Sequence, residues 1–216
     1  MALKHCILAL GLLLGTSAMA QSEAPASTTR GGKPPAGKQT SKAAGKGSIL
    51  PFKAVERTLP NGLKVIVVPT GFPNLVSIQI PVQTGSRNEV EPGKSGFAHF
   101  FEHMMFRGTK TYPPERYQAI LTQAGARQNA YTTDDYNNYH ITFAKEDLET
   151  MLKIEADRFQ NLSYPEAAFK TEARAVLGEY NKNSANPINK LLEVQREHAF
   201  TAHTYKHTTM GFIRDI

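Results

Sequence analysis

The stretch over residues 96–109, GFAHFFEHMMFRGT, sets two histidines and a glutamate into a run that is otherwise almost wholly apolar. It has no proline, so residues 96–107 read as a buried helix, with Gly108 placed to end it. A helix that buries polar side chains must give each of them a partner. Either His99, Glu102 and His103 are bonded locally as polar members of a core, or something in the interior binds them. In both cases the chain has to wrap this helix on several sides, and that demand shapes what the rest can be.

At about 100° per residue, His99 and His103 fall about 40° apart on the helix surface, one turn from each other, and Glu102 lies about 60° from His99. Two imidazoles at this spacing can reach one zinc ion at about 2.0–2.1 Å. A carboxylate beside the second imidazole reaches a water on the metal rather than the metal itself. Zinc lowers the pKa of such a water to about 7, and the glutamate can take its proton. The H-x-x-E-H order is the inverted form of the H-E-x-x-H zinc-peptidase spacing. A catalytic zinc site needs a third protein ligand from elsewhere.

Glu172 and Glu179, in TEARAVLGEY, lie seven residues apart and share a helix face two turns apart. They read either as solvated helix glutamates or as a ligand, Glu179, with Glu172 orienting another ligand from outside. Two other candidates are weaker. His203 and His207 are also four apart, but four threonines around them favour a loop, and His140 sits in a strand pattern where a satisfied histidine is the plainer reading.

The remainder of the chain sets the scale. Residues 1–20 read as a secretory signal peptide: Lys4, an apolar run over 7–14 too short to span a bilayer, and an Ala18-Met19-Ala20 cleavage site. Cys6, the only cysteine, lies inside this leader, so the mature chain has neither a disulfide nor a thiolate ligand. The expected location is the periplasm of a bacterium or the exterior, with no transmembrane segment after cleavage. Residues 21–48 are rich in small residues, proline and lysine without apolar periodicity, and read as a disordered basic linker. Leader and linker hold six of the 25 basic residues and one of the 19 acidic ones. Residues 49–216 are therefore nearly neutral, and the overall charge of +6 does not mark a nucleic-acid-binding domain.

The remaining 168 or so residues suffice for one domain with a core of its own. A hairpin is expected over 54–68 about Pro60-Asn61-Gly62, a third strand over 75–82, and a strand pair at 128–133 and 139–143. Helices are expected over 113–123, 145–161, 164–180 and 188–200, the third opened by an S-x-x-E capping box at Ser163–Glu166. Strands first and helices mixed with a second strand pair give an α+β domain: two layers, a mostly antiparallel sheet packed against helices.

Taken together these motifs resemble the pitrilysin family of inverted zinc metallopeptidases. The likeness runs through Leu59-Pro60-Asn61-Gly62-Leu63-Lys64-Val65, Gly85-Ser86-Arg87-Asn88-Glu89, Gly93-Lys94-Ser95-Gly96, the H-x-x-E-H helix, Phe106-Arg107-Gly108-Thr109, Asn129-Ala130-Tyr131-Thr132 and residues 172–179. The resemblance implies zinc held by His99, His103 and Glu179, Glu102 as general base, and Glu172 as an accessory acid. It also implies that peptide or unfolded polypeptide pairs along the strand at Asn129 and Ala130. Family members join at least two such domains, so the resemblance further implies that this is one half of a domain pair, with a second homologous domain or subunit as partner. Two functions follow from it: a zinc endopeptidase, or a zinc-holding or scaffold subunit that is inactive alone.

Overall fold

A computed structural model of the protein describes residues 52–216. The expected leader at 1–20 and linker at 21–48 lie outside the described residues. The chain divides into two units, Met1–Val68 and Pro69–Ile216.

In the first unit, β1 (Val55–Thr58) and β2 (Lys64–Val67) form the expected antiparallel hairpin, with Val55 opposite Val67 and Thr58 opposite Lys64. Gly62 turns the chain at φ 87°, a conformation that costs glycine little. The Asn61 side chain accepts the Leu63 amide at 3.1 Å, which closes the turn.

The second unit is built on a three-stranded sheet of order β3-β5-β4, antiparallel throughout: β3 (Leu75–Val82), β4 (Arg127–Thr132) and β5 (Asn137–Ala144). Register sorts the two faces. Val76, Ile78 and Ile80 stand opposite Phe143, Ile141 and Tyr139, while Ile141, Tyr139 and Asn137 stand in turn opposite Gln128, Ala130 and Thr132. All of them share one face, because side chains alternate along a strand. The other face is polar: Ser77 meets Thr142, and Asn138 donates to Gln79.

The apolar face is covered in two parts. At one end α2 (Pro114–Gln123) and α3 (Leu148–Asn161) press Tyr117, Leu121, Met151 and Ile154 against Ile141 and Phe143. At the other end lies α1 (Phe97–Met104), where Asn137 Nδ2 donates to the Ala98 carbonyl at 2.9 Å. Beyond α1 comes α4 (Glu166–Ser184), followed by α5 (Pro187–Ala199). Phe100 and Met104 of α1 pack on Val176 of α4. Each such side chain contributes about 1.5–3 kcal/mol when fully buried, so this contact fixes one helix against the other. The result is the expected α+β domain of two layers.

Three local expectations change. The first helix ends at Met104 rather than at residue 107, and Gly108 (φ 78°) sits in the following turn, where a Cβ would meet Tyr112 O at 2.7 Å. The capping box at Ser163–Glu166 does not form. The N-cap of α4 is Pro165, without a side-chain cap bond, since the chain enters the helix in the extended geometry that proline sets. The same helix runs on to Ser184, because nothing before Ala185 interrupts it.

Candidate metal centre

α1 is short, and it offers His99 from its first turn and His103 from its last. Their Nε2 atoms lie 3.2 Å apart. Two ligand atoms about 2.05 Å from a tetrahedral ion would be about 3.3 Å apart, so the two rings are set to share one. Glu179 of α4 completes the group, its Oε2 3.7 Å from His99 Nε2 and 3.5 Å from His103 Nε2. Among the described residues this is the one set of three such side chains whose ligand atoms converge. Seventy-five residues separate His103 from Glu179, and the Phe100, Met104 and Val176 contact closes that gap.

Glu172, seven residues before Glu179 on the same face, faces the other nitrogen of His103: Nδ1 donates to Glu172 Oε1 at 2.8 Å. This bond puts the proton on Nδ1 and leaves Nε2 with a free lone pair. The Glu172 carboxylate is buried and pairs as well with Arg107. His99 is treated differently, since its Nδ1 is buried with no hydrogen-bond partner. Burial holds the His99 imidazole below the ordinary histidine value, and His103 pushes the same way against the pull of Glu179. Neutral imidazole is the form that binds metal. Two nitrogens and a carboxylate oxygen, pre-set in spacing and, for His103, in tautomer, fit zinc.

Glu102 points elsewhere. Its Oε2 accepts the Thr132 hydroxyl of β4 at 2.5 Å. Burial pushes its carboxyl above the usual range, and the Thr132 bond pulls it partly back. Glu102, His103, Phe106, Arg107, Asn129 and Glu172 line an open cleft of about 380 Å³. Asn129 and Ala130 lie on β4, an edge strand among the described residues, and the Ala130 amide donates to Asn129 Oδ1 at 2.9 Å. That side chain therefore occupies an amide which an incoming strand would use.

All seven expected site residues thus lie on α1, α4 and β4. His140 stands on the polar sheet face, and His203 and His207 flank a single 3-10 turn, Thr204–Lys206, apart from the cluster. The roles of Thr132 and Arg107 were not visible in the sequence. A threonine directly before a polar turn carries no signal, and Arg107 gains its partner only when α4 packs.

Comparison with known proteins gives the setting of these features. The family described as Insulinase (Peptidase family M16) matches the chain over residues 65–212. Zinc protease PqqE of Helicobacter pylori is 33% identical over 161 residues, which is 74% of this chain and 36% of that protein. Insulin-degrading enzyme of Bos taurus is 32% identical over 154 residues, 71% of this chain and 15% of that protein. The crystal structure of a protease from Helicobacter pylori matches with a TM-score of 0.71 at 32% identity, over 76% of this chain and 40% of that one. The chain thus spans well under half the length of these relatives.

Proposed function

Because the chain belongs to Peptidase family M16, the insulinase family, we propose that it is the metal-holding domain of a zinc endopeptidase acting on peptides or unfolded polypeptide segments. The observation that carries this reading is the convergence of His99 Nε2, His103 Nε2 and Glu179 Oε2. Zinc, when bound, supplies a Lewis acid for the scissile carbonyl and for the attacking water. Glu102 takes the proton that the water loses as its oxygen bonds to the carbonyl carbon. It then returns that proton to the amide nitrogen as the C–N bond breaks. A carboxyl raised toward neutrality by burial suits both steps. Thr132 holds Glu102 toward the cleft, and Glu172 holds His103 in the ligating tautomer. Substrate lies along β4 at Asn129 and Ala130 as an added strand, displacing the Asn129 side chain from the Ala130 amide.

The greater length of the relatives supports a further part of the proposal. A second homologous domain or subunit completes the substrate site, and the 216-residue chain alone holds zinc yet turns over slowly. Residues 1–20 direct export to the periplasm or beyond, with cleavage before Gln21; N-terminal sequencing of the mature protein checks this.

Metal content tests the core of the reading. The purified chain takes up about one zinc per molecule, and His103→Ala takes up none. A folded parent that binds no zinc after reconstitution overturns the metal centre and the proposed activity together.

A further inference from the structure

The two histidines of α1 are not supported in the same way. His103 has the Glu172 carboxylate on its Nδ1. The Nδ1 of His99 has no partner, so its ring takes its direction from the backbone beneath it. That backbone is the first turn of a helix only eight residues long, where fraying begins. Moreover, α1 has no cap of its own. Its N-cap is Gly96 at φ 90°, where a Cβ would meet Met210 O at 2.6 Å, so a capping serine or aspartate has no room.

A carboxylate from farther up the chain does this work. Glu89 Oε2 accepts the Gly96 amide and Oε1 the Ala98 amide, both at 2.7 Å. The Glu89 side chain is 6% exposed, beside the buried His207, whose Nδ1 lies 3.7 Å from Oε2. Burial pushes the Glu89 carboxyl up, and the two amide bonds pull it back. Two charge-assisted bonds to the positive end of a helix offset part of the cost of burying the charge. The same helix end is fixed from a second side: Ser95 Oγ donates to Asp215 Oδ2 at 2.5 Å and accepts the Phe212 amide at 2.8 Å.

We infer that Glu89 is a positioning residue of the metal centre, which holds the first turn of α1 through the Gly96 and Ala98 amides and thereby aims His99 at the ion. The inference rests on the zinc reading above. Its consequence is that the centre uses two supporting carboxylates, one for each histidine, of which Glu89 acts through the backbone and Glu172 through the ring.

The test uses the full chain, zinc alone as ligand, and two readouts. In the metal-free chain, exchange of the Gly96 and Ala98 amides is faster in Glu89→Ala than in the parent. Zinc affinity, measured against a competing chelator, falls about 10–100-fold in Glu89→Ala, the range for outer partners of metal ligands. Glu89→Gln keeps one accepting oxygen, falls less, and carries the test if the alanine variant does not fold. A merely structural role lowers the melting temperature and leaves the zinc affinity of the folded chain unchanged; that result overturns the inference. A parent that binds no zinc overturns the metal reading, and this inference with it. A parent that binds zinc beside a Glu89→Ala chain that binds it equally well overturns this inference alone.

Discussion

Two groups of charged and polar side chains lie in the unit Pro69–Ile216, one buried and one half-buried at a cleft, and they are put together in opposite ways. Under α2 and α3, Glu155 and Arg158 form an ion pair, each about 5% exposed. The Tyr117 hydroxyl donates to Glu155 Oε1 at 2.6 Å and lies 2.8 Å from the Gln128 side-chain amide. The Arg158 guanidinium lies 5.1–5.7 Å from the rings of Phe106, Tyr139, Phe159 and Tyr117. That group is closed in charge: its ion pair balances, and aromatic rings face the guanidinium, whose Nε and Nη1 have no hydrogen-bond acceptor. Under α1 and α4, by contrast, two imidazole nitrogens and a carboxylate oxygen turn their lone pairs toward one point. Buried charge alone is therefore no sign of chemistry. Unshared lone pairs aimed at a common point beside an open cleft are.

The largest expected effect separates the two groups by activity. Glu102→Gln, in an assembly that has turnover, lowers kcat about 10²–10⁴-fold and leaves zinc content unchanged. Retained turnover removes Glu102 from the role of base. The corresponding change in the closed group, Arg158→Met, strands Glu155 in the interior and costs about 3–5 kcal/mol of stability by denaturant unfolding. The molecules that stay folded keep their zinc. If zinc affinity falls along with stability, the two groups are coupled and the contrast between them fails.

A smaller effect sharpens the contrast from within the metal centre. Glu172→Gln keeps its shape and loses its charge, so zinc binds about 10–100-fold more weakly while the melting temperature of the metal-free chain changes little. An unchanged affinity, measured against a chelator, would leave Glu172 a packing residue like Glu155. The smallest effect concerns pH, and it acts on the closed group. Burial pushes the Tyr117 hydroxyl well above the ordinary tyrosine value, the Glu155 charge adds to this, and Arg158 opposes it. A raised pKa means that the folded state keeps a proton which the unfolded chain releases. The contribution of Tyr117 is then complete below pH about 10 and falls above it, by at most about 1.4 kcal/mol per pH unit. Unfolding of Tyr117→Phe should lack this alkaline loss, and an equal loss in both chains assigns it elsewhere. Zinc binding weakens at the other end of the scale, on acidification, because the histidines must be neutral to ligate.

Much of the molecule was legible one segment at a time. The alternation over 75–82 predicts β3 as observed, because one face of that strand is covered and the other is not. Asn61-Gly62 predicts the hairpin, because only a residue tolerant of positive φ turns the chain there. The spacing of His99, Glu102 and His103 predicts a shared helix surface, because α-helical geometry needs no tertiary help to define it. Where the sequence reading failed, a second local preference won over the one that was read. The S-x-x-E pattern at Ser163 predicts a capping box, but Pro165 inside it moves the helix entry two residues on.

By itself, then, the sequence determined which side chains stand on one face of one element: the two histidines on α1, the two glutamates seven apart on α4, and the alternation of the sheet strands. Tertiary structure alone decided what those faces meet. Read from the residues alone, Glu172 and Glu179 were either solvated or an orienting residue and a ligand until Phe100, Met104 and Val176 locked α4 against α1, and that contact gave Glu172 to His103 Nδ1 and Glu179 to the converging Nε2 atoms. Glu89 shows the same limit, since nothing in its own surroundings says that it bonds amides seven and nine residues on. The physical reason is range. Backbone geometry carries a pattern over one or two turns, whereas a hydrogen bond or a metal-ligand set needs atoms within about 3 Å of each other. Only the packing of distant segments brings such atoms together.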